Sequence, residues 1–146
     1  MIRRPVATVT AIVLFVEAGG VAWLNWFLGT VVDRQDMSLA GLDPDAMSTS
    51  SKAGGLVFGL YFVLCGLAAL LVALRDRPAT GVWRVLLISA AVVHGLLGAF
   101  AVGLVGWGAF TFMMVVLGLV LLTLMAEDRR AGPDGAVTSA SASTTP

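Results

Sequence analysis

Apolar residues in this chain fall in long unbroken runs, with no alternation of period two, and the polar residues collect between the runs. A bilayer core of about 30 Å takes roughly 20 helical residues to cross, so runs of this length predict transmembrane helices. The first run covers 6–32, which is longer than one crossing needs and leaves room to tilt or protrude. The second covers 54–74, with Lys52 before it and "RDR" at 75–77 after it. Between Val85 and Met125 no acidic or basic residue occurs apart from His94. That stretch is about twice a single span and reads as a helical hairpin. Its break belongs at "GLVGWG", 103–108, where glycine lowers helix propensity and permits a tight turn. Spans three and four are then 83–104 and 107–125.

The pattern therefore predicts an all-α integral membrane protein. A four-helix transmembrane bundle occupies 1–130, with an outer loop at 33–53 and an inner loop at 75–84. The tail 131–146, "AGPDGAVTSASASTTP", is small, polar and aperiodic, and is expected to be disordered. The opening "MIRRP" followed by apolar residues superficially resembles a secretory signal. A signal core runs 7–15 residues to a small-residue cleavage site. Here the apolar stretch continues further and Glu17 interrupts it, so an uncleaved first span is expected.

Composition narrows the class further. Hydrophobic residues make up 58% of the chain and charged residues 12%, with mean hydropathy +0.94. A soluble domain carries about a quarter charged residues, so most of this surface is expected to face lipid. Formal net charge is zero, which gives no basic excess for nucleic acid. The single cysteine, Cys65, excludes an intrachain disulfide, a CxxC redox pair and a cysteine zinc site. The single histidine, His94, excludes a bis-histidine haem within one chain. No cofactor and no metal site is expected.

Charge placement sets the orientation. With four spans, Arg3, Arg4, Arg75, Arg77, Arg84, Arg129 and Arg130 share one side, and Arg34 and Lys52 the other. Positive-inside bias then places both termini in the cytoplasm, here of a bacterium and its inner membrane. Trp23, Trp26 and Trp107 fall toward the outer face and Trp83 at the inner one, where indoles favour the headgroup level. The outer loop holds Asp33, Asp36, Asp43 and Asp45 but lacks the spacing and terminal Glu of an EF-hand, so it reads as a solvated connection.

Helix association in lipid relies on close packing of small residues. Span two offers Gly55, Gly59, Gly66 and Ala73 near one face, and span three offers Ala91, Gly95, Ala99 and Gly103 at every fourth position. These two stripes are the expected sites of closest helix contact, within the bundle or with a second subunit. Cys65, Met113 and Met114 read as packing residues, and Tyr61, Ser89 and Thr111 as hydrogen-bonding ones.

Two ionisable residues lie in mid-span. Glu17 follows Arg4 by thirteen residues and His94 follows Arg84 by ten, so on spans of the same direction their depths agree within about one helical turn. An isolated carboxylate at mid-bilayer costs several kcal/mol and lowers that cost by protonating or finding a partner. A Glu17–His94 pair would serve as a structural contact that fixes helix order, or as a proton site on an ion pathway. In a third reading Glu17 lines a partner protein's helix. Asn25, near the outer interface, can reach water or a backbone group and needs no special role.

A glutamate in the middle of the first of four helices, in "LFVEAGG", resembles the small multidrug resistance transporters. The resemblance implies that such a residue binds proton and cation in a dimer. The likeness is confined to that stretch and the helix count, and it carries Glu17 alone. Those proteins have short loops and weak charge bias, whereas this chain has a long acidic outer loop and an arginine-rich inner side. Its general look is similar to small four-span proteins of GC-rich bacteria.

The resulting expectation is a non-enzymatic accessory or scaffold subunit, packed in the lipid bilayer against a second copy or a larger membrane partner. The alternative is a small proton-linked transporter using Glu17 and His94. No polar cluster supplies a nucleophile or cofactor motif near either residue, so an enzyme is not expected.

Overall fold

The computed structural model describes residues 3–38, 41–75 and 81–131, and these form four α-helices. They are α1 (Arg3–Arg34), α2 (Pro44–Leu74), α3 (Val82–Leu104) and α4 (Trp107–Ala131). Each is long and apolar enough to cross a bilayer. Every helix also leaves large apolar side chains exposed, among them Ile12, Trp23, Phe58, Leu60, Phe100 and Leu122. A water-soluble monomer rarely exposes so many large apolar side chains, whereas lipid tails solvate them. The protein is all-helical and compatible with a multi-pass membrane bundle. The expected tail lies outside the described residues from 132 onward, as do 76–80 of the inner loop.

One expected boundary moves. The segment 44–53, placed in the solvated outer loop, is the start of α2. The Asp43 carboxylate accepts the backbone N–H of Asp45 at 2.9 Å and of Ala46 at 3.2 Å, which caps the helix. Pro44 then occupies the first helical position, where its missing N–H costs nothing, and Asp45 adds a negative charge to the first turn. The connection from α1 is correspondingly short. It leaves α1 through Asp36, at φ 47°, with Met37 N–H donating to Val32 O at 3.2 Å. This is a left-handed helix terminus with an aspartate where glycine is commoner.

The α3–α4 break falls where the glycines predict. Val105 and Gly106 both donate N–H to Ala101 O, at 3.0 and 2.8 Å, and α4 begins at Trp107. Of the three glycines only Gly106 has positive φ, at 116°; Gly103 and Gly108 are helical.

Internal contacts divide the chain into two units, Ile12–Gly66 and the remainder, Met1–Ala11 with Leu67–Pro146. In the first, α1 and α2 form a hairpin whose register is set by glycines taken from both helices. A Cβ at Gly66 would stand 3.0 Å from the Phe15 ring, and one at Gly59 would stand 3.2 Å from Ala18 O and Ala22 Cβ. A Cβ at Gly55 would meet Asn25 Cβ at 2.5 Å, and one at Gly29 would meet Ser48 O and Lys52 Cγ at 2.8 Å. These backbones approach as closely as small residues in membranes allow. In the second unit α3 packs on α4, with Gly98 lying against Met114, Met113 and Phe110.

Candidate functional site

Burial along α1 follows helical periodicity. Ala7, Thr10, Ala11, Leu14, Glu17 and Ala18 are all buried, at steps of three and four residues that keep one face together. Glu17, 9% exposed, therefore sits on the inward face, on the unit Ile12–Gly66. On α3 the buried row is Leu87, Ala90, Ala91, His94, Gly98 and Ala101, which places His94 inward as well, with no exposed surface.

The His94 ring is oriented by its own helix. Nδ1 lies 2.7 Å from Ala90 O, and a carbonyl can only accept, so Nδ1 carries the proton in both the neutral and the charged ring. Glu17 and His94 belong to different units, Ile12–Gly66 and the remainder.

The small-residue rows divide. Gly55, Gly59 and Gly66 make close approaches to α1, and Ala73 is buried in the other unit. On α3, Ala91 is buried, but Ala99 and Gly103 are exposed and a Cβ at Gly95 or Gly103 would meet nothing within 4 Å. The close approach falls at Gly98 instead. Residues spaced by four advance about 400° and drift about 40° per step, so a strict every-fourth row starting at buried Ala91 turns out of the core. Steps of seven, as in Gly59, Gly66 and Ala73, drift only about 20° and stay closer to one face.

Polar residues that do bridge helices are ones the sequence did not single out. Thr10 and Thr123, both fully buried, place their hydroxyl oxygens 3.0 Å apart between α1 and α4. Each also reaches its own helix, Thr10 to Val6 O and Thr123 to Leu119 O, both at 2.9 Å. Thr10 additionally lies 3.3 Å from Leu119 O. Thr111 and Ser89, expected as hydrogen-bonding residues, donate to Trp107 O and Leu86 O of their own helices. The usable signal for Thr10 was its place one turn before Leu14 and two turns before Glu17 on the same face.

At the other end of the α1–α2 hairpin, Lys52 reaches across Gly29. Its ammonium stands 3.9 Å from the Asp33 carboxylate and 6.0 Å from the centroid of the Trp26 ring. Ser51 donates to Asn25 O at 3.0 Å, while the Asn25 amide donates to Val21 O at 2.9 Å. Asn25 thus completes backbone groups of the hairpin. Cys65 is fully buried. Among the described residues no three His, Cys, Asp or Glu side chains converge as a metal-binding group. No protein-family model, curated protein or solved structure matches this chain.

Proposed function

We propose that this chain is a non-enzymatic accessory or scaffold subunit of a bacterial inner membrane, with both termini in the cytoplasm. The observation that carries the reading is the inward use of polar side chains. Thr10, Thr123 and His94 are fully buried and hydrogen-bonded within the chain, while all four helices expose many large apolar side chains. In that arrangement buried polar groups select helix order, at an average of about 0.6 kcal/mol per intramembrane hydrogen bond, and chemistry with a soluble substrate is not their role. Lipid, a second copy of the chain or a larger membrane partner would cover the outside. The exposed small residues Ala99 and Gly103, with half-buried Gly95, would let another helix approach.

The test is native electrophoresis from mild detergent, comparing wild type with Ala99→Leu. An assembly larger than the monomer that Ala99→Leu reduces to monomer supports the reading. A wild-type chain that runs as a monomer at every detergent ratio counts against it.

A second reading, a small proton-linked transporter using Glu17 and His94, is favoured by one observation. Two ionisable side chains within apolar helices, Glu17 and His94, are both buried, and such residues in membrane helices often mark ion pathways. Proton flux into vesicles that is abolished by Glu17→Gln with the fold retained would support this reading over the first.

A further inference from the structure

Ser48, at the polar end of the α1–α2 hairpin, is 3% exposed, and its hydroxyl has no hydrogen-bond partner among the described residues. Other buried hydroxyls behave differently. Thr10 and Thr123 return theirs to Val6 O and Leu119 O of their own helices and meet each other. Ser51, three residues beyond Ser48 and half-buried, donates across the hairpin to Asn25 O. A buried hydroxyl without a partner carries the full cost of its lost hydration, so native proteins satisfy such groups with protein atoms or with ordered water.

A second polar gap lies in the same seam. Ser48 and Lys52 are one turn apart on one face of α2, and both stand against Gly29 of α1. A Cβ at Gly29 would meet Ser48 O and Lys52 Cγ, each at 2.8 Å. Asp33 follows Gly29 by one turn of α1. Lys52 Nζ stops 3.9 Å from Asp33 Oδ2, beyond the roughly 3.2 Å reach of a direct N–H···O hydrogen bond. A polar contact of that length is the usual place of a bridging water. We propose that this seam is a hydration site in which one ordered water accepts from the Ser48 hydroxyl and the Lys52 ammonium and donates to the Asp33 carboxylate. Three hydrogen bonds are the typical complement of a structural water. A metal cation suits the place less well, because the Lys52 ammonium already faces the Asp33 carboxylate. The water makes Ser48 and Lys52 parts of a single contact between α2 and the last turns of α1. The site lies wholly within the unit Ile12–Gly66 and is independent of the scaffold reading.

The experiment uses the full chain in detergent micelles and oxygen-17 relaxation dispersion of the solvent. That signal counts long-lived waters and is untouched by exchanging hydroxyl and ammonium protons. Its amplitude in Ser48→Ala should fall below wild type by the contribution of one water. Lys52→Met should cause the same loss, and the double variant no further loss, because both side chains hold one molecule. Ser50→Ala, at an exposed serine of the same helix, should change nothing. Unfolding midpoints of the same samples give a second readout in which the two readings of Ser48 differ in sign. A bridged hydroxyl predicts that Ser48→Ala lowers the midpoint, whereas a hydroxyl that is only packed lets alanine raise it through helix propensity. An unchanged dispersion amplitude in Ser48→Ala, or a raised midpoint, overturns the proposal. An amplitude present in sodium chloride and lost in choline chloride of equal ionic strength assigns the place to a metal cation and also overturns it. If Ser48→Ala does not assemble, Lys52→Met against wild type makes the same count, and no loss of a water overturns the proposal.

Discussion

Thr10 and Thr123 meet hydroxyl to hydroxyl at 3.0 Å, fully buried, and tie the start of α1 to α4. Either oxygen can donate, because each hydroxyl has a carbonyl of its own helix at 2.9 Å as a second acceptor. Loss of one hydroxyl therefore leaves the other satisfied by its own backbone. Thr10→Val and Thr123→Val should each lower stability modestly, and a double-mutant cycle by reversible unfolding in mixed micelles should give a coupling of about 0.6 kcal/mol, below about 1.7. A coupling of zero would remove the pair from the interactions that order the helices.

The two adjacent glycines of α2 should behave differently. A Cβ at Gly54 would meet nothing within 4 Å, whereas one at Gly55 would stand 2.5 Å from Asn25 Cβ, an atom close to its backbone with little freedom to move aside. Gly54→Ala should be neutral or stabilising by up to about 1 kcal/mol through helix propensity. Gly55→Ala should destabilise by about 1–3 kcal/mol because the helices must separate. Thermal unfolding of the two variants side by side checks both signs.

The hairpin between α3 and α4 separates backbone from packing effects. Gly103, Gly106 and Gly108 all have open space around a would-be Cβ, but only Gly106 has positive φ, at 116°. Gly106→Ala should cost about 1–3 kcal/mol in strain, while Gly103→Ala and Gly108→Ala should not destabilise. Equal tolerance of all three would contradict the turn geometry.

The helical start of α2 depends on its cap. Asp43→Ala removes the acceptor for the N–H groups of Asp45 and Ala46 and should cost about 0.5–2 kcal/mol. Hydrogen exchange should accelerate at residues 45–50 and leave the apolar part of α2 unchanged. Unchanged exchange in that turn would mean that the cap contributes nothing.

Much of the architecture was legible because hydropathy acts over whole helices. The runs located all four helices and placed the α3–α4 break within a residue or two. The helical segment 44–53 was obscured by its polarity, although "DPD" carries a cap, a first-turn proline and a first-turn acid in order. Helix rotation was less accessible. Both Glu17 and His94 proved inward-facing, but the every-fourth row on α3 drifted outward and the contact fell at Gly98. Thr10 and Thr123 gave no composition signal, since an isolated threonine in an apolar run equally well bonds its own helix. Their pairing depends on the register between α1 and α4, which pattern within one helix does not determine.

The most direct measurement of the scaffold reading is proton flux into vesicles containing the purified chain, with the unfolding midpoint of the same preparations. A scaffold predicts that wild-type vesicles hold an imposed pH gradient as long as empty ones, and that Glu17→Gln and His94→Ala alter only the unfolding midpoint. Flux through the wild type that Glu17→Gln abolishes, with its unfolding midpoint unchanged, would contradict it and make Glu17 a transport residue.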